Sequence, residues 1–327
     1  MSMQTSINPA TGAVIREYPV HSEAQVRAII EQAHQCFLQW RNVSVAGRAQ
    51  FLLKVADVLL AKKNDYARII AEEMGKPLKE AVNEIEKCAA CAKYFAENGP
   101  KFLADQPVAT EYRKSYVAYR PLGIILGVMP WNFPFWQVFR FALPSLMAGN
   151  VGLLKHASNT PGCALAIESV FREASLPPHA FQSLLIPGKR VEEVIKHPLT
   201  RAVTLTGSTP AGRSVASLAG EYLKKTVLEL GGSDAYLVLA DADIDHAIKT
   251  IGASRLLNCG QSCVSAKRLI VAASLKEKFE QGLLAIFNAA KPGDPLDPAT
   301  TMGPMSRADL RDELHGQVQR SIAASVP

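Results

Sequence analysis

The stretch "NCGQSCVSAKR", residues 258–268, surrounds Cys263 with small residues and makes its thiol the first candidate for chemistry. A cysteine reacts as its thiolate, and the pKa of a free thiol lies near ~8.5, so the loop must favour the anion. Gly260 permits unusual backbone dihedrals, and backbone N–H groups in such a loop could lower the thiol pKa and receive an oxyanion. The loop alone leaves two interpretations open, a nucleophile or a buried structural cysteine.

Two other polar side chains lie among apolar patterns. Glu229 in "VLELGG" stands at the end of an apolar strand and is followed, after Leu, by two glycines. Burial there would raise the pKa of its carboxyl toward neutrality, which suits a general base that activates water or a thiol. Asn132 in "MPWNFPFW" could donate its side-chain N–H to a developing oxyanion. The alternatives are a solvent-exposed carboxylate at a strand edge and a turn asparagine packed among aromatic rings.

Two further segments are typical of a nucleotide-binding layer. "TLTGSTPAG" (204–212) predicts strand, turn and helix, with Gly207 in the turn and Ser208 or Thr209 capping the helix. N–H groups at that helix start attract phosphate, although the segment is not the GxGxxG fingerprint. Lys155 in "LLKHASNTP" follows an apolar strand, and at the carboxyl edge of a parallel sheet it could reach a ribose or a phosphate. An ordinary surface lysine is the alternative.

The elements that would position these residues change along the chain. The first hundred residues predict helices, beginning at "SEAQVRAIIEQAHQCFLQW" with Ser22 as an N-cap. "VATEYRKSYVAYRPLG" (108–123) predicts a β-hairpin or a pair of strands. From 120 to 229 strand and helix patterns alternate, which predicts an open, mostly parallel α/β sheet. From Gly231 a second α/β unit follows, and it is thin for a complete domain.

Composition narrows the function classes. The 327 residues exceed one compact core, and 48% hydrophobic with 20% charged residues predicts globular domains. A net charge of +6 without a block of like charge gives no case for a nucleic-acid partner. The N-terminus lacks a secretory signal pattern, and the most apolar stretch, "GIILGVMPW", is too short for a bilayer. Six cysteines without framework spacing fit a reducing cytosol, so we expect a cytoplasmic protein without a membrane partner.

The motifs taken together resemble the aldehyde dehydrogenase superfamily closely. "PWNFP", the lysine-containing strand end, "TGST", "LELGG" and "GQSC" follow the family's order and spacing, and "NPATGAV" and "GDPLDPATTMGPM" extend the resemblance over essentially the whole chain. It implies that Cys263 attacks an aldehyde and that the Asn132 side chain and the Cys263 N–H hold the oxyanion of the thiohemiacetal. Hydride transfer to a nicotinamide leaves a thioester, which Glu229 hydrolyses by activating water, and no metal is needed.

The same resemblance implies a nicotinamide dinucleotide as cofactor. Family members that prefer NAD usually carry a glutamate three residues after the lysine, whereas this chain has Ser158. Loss of that carboxylate removes repulsion against a 2′-phosphate, so we expect the chain to use both NAD and NADP. The expected cofactor-binding residues are Pro130, Trp131, Lys155, Ser158, Thr206, Gly207, Ser208, Gly212, Leu230 and Gly231.

Within the superfamily, "WNFPFWQVFRFALPSLMAGNVGLLKHASN" resembles the bacterial NAD(P)-dependent succinate-semialdehyde dehydrogenases. Semialdehyde dehydrogenases often hold the distal carboxylate with an arginine at the position of Arg140, and a fork of N–H donors suits that group. Many relatives have a lysine next, whereas this chain has Phe141. A second arginine found in some relatives shortly before the nucleophile is replaced here by Leu256, Leu257 and Asn258. A structural role for Arg140 is the alternative.

The resemblance implies an α/β fold with an open parallel Rossmann-like sheet and flanking helices. It predicts an NAD(P)-binding domain at 1–107 and 120–229, a hairpin of an oligomerisation element at 108–119, and a partial catalytic domain at 230–327. Family members are considerably longer, so the chain ending at Pro327 is expected to be C-terminally truncated, and its activity is an open question.

Three functional hypotheses follow. The first is oxidation of succinate semialdehyde, or of a different small aldehyde, by a protein that forms a homodimer or homotetramer when full length. The second is a cofactor-independent thiol hydrolase or acyltransferase using Cys263 and Glu229, although neither motif contains a histidine to act as the usual base. The third is a non-catalytic or catalytically impaired fragment that binds nucleotide or a partner chain. Cys259, four residues before Cys263, could form a regulatory disulfide.

Overall fold

The computed structural model describes residues 2–324, so Pro327, the expected truncation point, lies outside this range. The residues form two compact units. The first unit comprises Met1–Ser6, Arg16–Ala67 and Val82–Leu230, and the second comprises Ile7–Ile15, Arg68–Ala81 and Gly231–Pro327. The division after Leu230 lies close to the predicted boundary. Two short segments from the first hundred residues pack with the second unit, because compact units are set by packing as well as by chain order. The predicted domains stay a prediction.

The N-terminal segment contains two strands where the sequence patterns predicted helices. Strands β1 (Met3–Ile7) and β2 (Val14–Pro19) form a two-stranded sheet. A turn joins them, with the Gly12 N–H donating to the Asn8 carbonyl at 2.8 Å and Gly12 at φ 75°. Glycine adopts this left-handed conformation at little cost. The helix prediction was therefore wrong for these residues.

Four helices follow, as the sequence predicted. They are α1 (Glu23–Trp40), α2 (Val45–Ala61), α3 (Lys63–Met74) and α4 (Leu78–Phe102). Ser22 caps α1 in a reciprocal capping box with Gln25, which confirms the predicted helix start. After α4, the strands β3 (Gln106–Pro107) and β4 (Tyr116–Val117) pair antiparallel over only two residues each, so most of the predicted hairpin at 108–119 is the connecting loop.

The centre of the first unit is a five-stranded parallel sheet, which confirms the predicted α/β class. Its strands are β5 (Ile124–Val128), β6 (Val151–Lys155), β7 (Phe181–Ser183), β8 (Thr200–Thr206) and β9 (Lys225–Glu229), in the order β7-β6-β5-β8-β9. The order reverses between β5 and β8, and ligands of open parallel sheets bind beyond the carboxyl ends of the strands at such a point. The connecting helices are α5 (Trp136–Met147), α6 (Pro161–Glu173), α7 (Val191–Ile195) and α8 (Thr209–Glu221).

Aromatic packing fixes helix α5 within the first unit. Phe135 and Phe139 are fully buried, and the ring of Phe139 lies 5.3 Å from that of Phe171 on α6. Trp40, at the end of α1, is also fully buried, and its indole N–H donates to the carbonyl of Leu146 at 3.1 Å. A buried indole needs such a partner. Helix α5 is therefore held along its length by α1 and α6.

The second unit contains a shorter parallel pair of strands, β10 (Ala235–Val238) and β11 (Arg268–Val271). Helices α9 (Ile244–Leu256), α10 (Lys276–Asn288) and α11 (Ala308–Ala323) accompany them. A small apolar cluster fills its interior, formed by Val238, Ile248, Ile251, Ala266, Phe279 and Leu283. Within residues 2–324, none of the helices has the length and apolar character needed to cross a membrane.

Candidate active site

Asn132 lies in the turn that follows β5, at the carboxyl edge of the sheet. Its side-chain oxygen accepts the N–H of Phe133 at 3.1 Å. This bond uses the amide oxygen of Asn132 as an acceptor for the turn backbone. The residue is partly exposed. The predicted role of Asn132 as an oxyanion donor stays a prediction.

Two buried side chains hold the backbone just after Asn132, and the sequence analysis identified neither. The Glu84 carboxylate, on α4, accepts the N–H groups of Phe135 and Trp136, each at 2.9 Å. The His156 ring, directly after β6, contacts the carbonyl of Pro134 through Nε2 at 2.9 Å. Both side chains are at most 4% exposed. The available signals were an acidic residue on the apolar face of a helix and a histidine at the end of a buried strand.

Arg140 and Glu229 meet in the first unit. Arg140 projects from α5 and Glu229 ends β9, with Nη2 and Oε2 3.5 Å apart. The Glu229 side chain is 54% exposed, so the burial expected from its apolar sequence context was wrong. Its surroundings in β9 are themselves mostly exposed, because β9 is an edge strand of the sheet. An ion pair this open contributes little to stability.

The pair lines a cavity of about 530 Å³ in the first unit. Thr204 and Thr206 of β8 contribute hydroxyl groups to the wall, and Met129 and Phe141 contribute apolar surface. A guanidinium beside an apolar wall suits a short carbon chain that ends in a carboxylate. Arg140 therefore lines a cavity with both a charged and an apolar wall, and its substrate-binding role stays a prediction.

Lys155 ends β6 and is only 8% exposed. Burial lowers the pKa of its ammonium group from the ordinary value. No carboxylate of residues 2–324 lies within ion-pair distance of it. Nearby Ser158 is exposed, and its carbonyl accepts a hydrogen bond from the Gln4 side chain at 2.9 Å. A buried cation without an acidic partner is costly, and an anionic or hydroxyl-rich ligand would lower that cost.

The "TGST" segment forms the predicted strand, turn and helix. Thr206 ends β8, Gly207 lies in the turn, and Ser208 caps α8 by accepting the N–H of Ala211 at 3.4 Å. A Cβ on Gly212 would lie 2.5 Å from a methyl group of Leu230. Glycine therefore lets the first turn of α8 pack closely against the residue that follows β9.

These features fit a nicotinamide dinucleotide. The first turn of α8 presents N–H groups and the positive end of its dipole to a phosphate. Lys155 has a buried ammonium, the kind of group that binds a ribose hydroxyl or a phosphate, and Ser158, three residues later, is exposed and uncharged. Pro130 and Trp131 are partly exposed in the turn after β5, whereas Gly231 is exposed at the start of the second unit.

Cys263 lies in the second unit, in the loop between α9 and β11. Cys263 is partly exposed, and its backbone carbonyl accepts a hydrogen bond from the Lys267 ammonium at 3.0 Å. The same ammonium donates to the Gly232 carbonyl at 2.6 Å. Lys267 thus ties the cysteine loop to the segment that follows Gly231.

The residues before Cys263 have an unusual backbone. Asn258, Cys259 and Gly260 have φ values of 56°, 55° and 75°, so three successive residues adopt the left-handed conformation. Two of the three are not glycine, which makes the turn strained and dependent on outside support. The Glu80 carboxylate accepts the Asn258 N–H at 2.8 Å, and the Cys259 sulfur accepts the Gly303 N–H at 3.1 Å.

Cys259 and Cys263 are both free thiols in the structure. Burial raises the pKa of the Cys259 thiol to about 11. A thiol with a raised pKa is seldom a thiolate near neutral pH and is correspondingly unreactive. The geometry therefore gives Cys259 a structural task, as an acceptor for Gly303, and its redox role stays a prediction.

Comparisons with known proteins identify what the chain is similar to. Residues 2–326 match the model of the aldehyde dehydrogenase family. A probable NADP⁺-dependent succinate-semialdehyde dehydrogenase of Synechocystis is 49% identical over 319 residues, which cover 98% of this chain and 70% of the relative. An NADP⁺-dependent succinate-semialdehyde dehydrogenase of Mycobacterium avium is 46% identical over 323 residues, covering 98% of this chain and 68% of the relative.

Solved structures give the same result. A succinic semialdehyde dehydrogenase from Streptococcus pyogenes, in complex with NADP⁺, superposes with a TM-score of 0.95 at 36% identity. The match covers 98% of this chain and 71% of that one. A succinate-semialdehyde dehydrogenase from Burkholderia pseudomallei superposes with a TM-score of 0.95 at 30% identity, covering 99% of this chain and 67% of that one.

Proposed function

The chain belongs to the aldehyde dehydrogenase family, and from that premise we propose that it oxidises succinate semialdehyde to succinate with NADP⁺ or NAD⁺. The observation that carries the substrate assignment is the position of Arg140, beside Glu229 in the wall of the cavity. A guanidinium there can bind a distal carboxylate through two parallel hydrogen bonds. The succinate-semialdehyde dehydrogenases among the relatives support the same substrate.

The first step is attack of the Cys263 thiolate on the aldehyde carbon. A sulfur–carbon bond forms, the carbonyl π electrons move to oxygen, and a thiohemiacetal results. The Asn132 side-chain N–H and the Cys263 backbone N–H stabilise the developing oxyanion. The position of Asn132 in the turn after β5, at the carboxyl edge of the sheet, supports this assignment.

The second step is oxidation. NADP⁺ or NAD⁺, when bound, supplies the nicotinamide that accepts the hydride. As the hydride leaves the carbon, the oxyanion electrons re-form the carbonyl, and a thioester remains on Cys263. Asn132 keeps its donor directed at the oxygen during this change.

The third step is hydrolysis of the thioester. Glu229 takes a proton from water, and the hydroxide adds to the thioester carbonyl. The carbon–sulfur bond then breaks, Cys263 is regenerated as a thiolate, and the acid leaves and loses its proton to become succinate. Glu229 releases the proton that it took from water to the solvent. The exposure of Glu229 gives water direct access to its carboxylate.

The cofactor proposal rests on Lys155, Ser158 and the first turn of α8. Lys155 would bind a ribose hydroxyl or phosphate. Gly207 and Ser208, in the "TGST" turn, would contact the dinucleotide at the start of α8. Ser158 would admit a 2′-phosphate because it carries no charge. Relatives described as NADP⁺-dependent support use of NADP⁺.

Several wider assignments are part of the proposal. They are the nucleotide-binding role of the first unit, the catalytic role of the second, the oligomerisation role of 108–119, a homodimer or homotetramer, and a cytoplasmic location. The five-stranded sheet and the "TGST" helix start support the first of these, and the position of Cys263 supports the second. The chain spans 70% of the length of the Synechocystis relative. Turnover by this chain is therefore the first quantity to measure.

The test is formation of reduced nicotinamide by the purified chain with succinate semialdehyde, run in parallel with NADP⁺ and NAD⁺. We expect reduction that Cys263→Ser abolishes. Cys259→Ser is the matched control, since serine keeps an acceptor for the Gly303 N–H in the same loop, and it should retain turnover. Nucleotide binding without reduction, from folded protein, would instead favour a nucleotide-binding chain. Release of acid without any nucleotide would favour a thiol hydrolase.

A further inference from the structure

We propose that His156 and Glu84 are positioning residues for the oxyanion donor Asn132. The inference rests on the proposed function, because it assigns Asn132 its role in aldehyde oxidation. It goes beyond that function because it assigns a task to two buried side chains that act through the backbone of residues 134–136.

His156 holds the carbonyl of Pro134. The Ala157 N–H donates to His156 Nδ1 at 2.8 Å, so Nδ1 is the acceptor and the ring proton lies on Nε2. Nε2 therefore donates to the Pro134 carbonyl at 2.9 Å. Thr160 contributes a hydroxyl 3.1 Å from Nδ1. Both ring nitrogens are thus bonded, and the ring has one orientation.

Glu84 holds the N–H side of that same peptide group and the N–H of the peptide group after it. One oxygen, Oε1, accepts the N–H groups of Phe135 and Trp136. These are N–H groups at the start of α5, where Phe135 provides no side-chain cap of its own. A carboxylate at a helix start is favoured by the helix dipole and by the unpaired N–H groups. Glu84, from α4, therefore substitutes for the missing local cap.

The two side chains together fix the carbonyl of Pro134 and the N–H groups of Phe135 and Trp136. One comes from the end of β6 and the other from α4, while Asn132 lies only two residues before Pro134. Pro134 has a restricted φ, so fixing the groups around it limits the path of the turn back to Asn132. A displacement of about 1 Å at a catalytic group can cost roughly 100-fold in rate. The buried pair supplies the rigidity that an oxyanion donor in a surface turn lacks.

Conservative and truncating variants separate the hydrogen bonds from the packing. Glu84→Gln keeps Oε1 as an acceptor for both N–H groups, whereas Glu84→Ala removes it. His156→Gln offers an N–H donor in place of Nε2, whereas His156→Ala does not. We expect each alanine variant to lower kcat/KM for succinate semialdehyde by roughly 10- to 100-fold. We expect each glutamine variant to recover most of that loss.

A double-mutant cycle gives the decisive measurement. If both residues act through Asn132, His156→Ala and Glu84→Ala should each cost less than about threefold when Asn132 is already alanine. His21→Ala is the matched control, because His21 is a half-buried histidine whose Nδ1 accepts the Leu185 N–H at 3.4 Å, remote in sequence from the turn. It should leave kcat/KM unchanged. Unfolding midpoints of all variants show how far stability alone changes.

The outcomes separate this inference from the proposed function. Wild-type turnover, with the alanine losses undiminished in the Asn132→Ala background, overturns the positioning role and leaves the function intact. Losses that track unfolding midpoints, with no recovery in the glutamine variants, overturn it as well. A folded wild-type chain without turnover contradicts the proposed function, and the inference falls with it. Recovery by glutamine together with a non-additive cycle confirms it.

Discussion

Acidification should destabilise the protein through His156, and the sign follows from its surroundings. Burial, first, and the adjacent Lys155 charge lower the pKa of His156 from 6.5 to about 4, although the bond to the Pro134 carbonyl opposes them. In the unfolded chain the ring binds a proton near pH 6.5, whereas in the folded chain it stays neutral until about pH 4. The unfolded state therefore binds more protons between these values, and stability falls as pH falls through that window.

The magnitude follows from the same two values. Stability is lost at about 1.4 kcal/mol per pH unit inside the window, which sums to about 3 kcal/mol over its whole width. Between pH 7 and pH 5 the expected loss is about 2 kcal/mol, since the unfolded ring is already mostly neutral at pH 7. Protonation would also place a hydrogen on Nδ1, where the Ala157 N–H already donates. Protonation of His156 in the folded state would therefore break the hydrogen bond from the Ala157 N–H.

The assay is urea unfolding of the wild type and His156→Gln at pH 7, 6 and 5. Other groups titrate in this range, including His21 and His197, whose pKa values burial also lowers. These groups are present in both proteins, so they cancel in the difference between the two curves. We expect the wild type to lose about 2 kcal/mol more than the variant from pH 7 to pH 5. Parallel losses in the two proteins would refute the reasoning.

Three further predictions concern substrate, cofactor and core. Arg140→Gln should lower kcat/KM for succinate semialdehyde on the order of 10- to 100-fold, while butanal, which lacks the distal carboxylate, should change by less than about threefold, as measured by nicotinamide reduction. Ser158→Glu should lower kcat/KM for NADP⁺ by roughly tenfold or more and spare NAD⁺, because a carboxylate repels a 2′-phosphate; equal losses would contradict this. Trp40→Phe should cost about 2–4 kcal/mol in urea unfolding, because it removes buried ring volume and the indole bond to Leu146, and a cost below about 0.5 kcal/mol would contradict that packing.

Local interactions explain which predictions from sequence succeeded. Ser22 and Ser208 cap helices as predicted, because a cap needs only residues three positions away. The alternation of strands and helices from 120 to 229 was enough to predict a parallel sheet, since crossovers between parallel strands need a helix. The N-terminal hairpin was missed because its two strands are short and carry few apolar residues on a buried face.

At the candidate active site, the sequence predicted the reactive residues but not their surroundings. The sequence by itself determined which chemistry-bearing residues stand at the ends of strands and in turns: Asn132, Lys155, Glu229 and Cys263. It could not determine their environments. An apolar strand context suggested a buried Glu229, but β9 lies at the sheet edge and leaves the side chain 54% exposed, a fact set by strand order.

Only the tertiary structure decided which distant side chains meet. Glu84 reaches residues 135 and 136 across 51 and 52 positions, and His156 reaches Pro134 across 22. No periodicity or spacing encodes such pairs, because they arise when separate elements pack and each buried polar group must find a partner. The sequence thus specified the elements and the reactive groups they carry. The packing of those elements specified the backbone contacts of Glu84 and His156 and the Arg140–Glu229 ion pair.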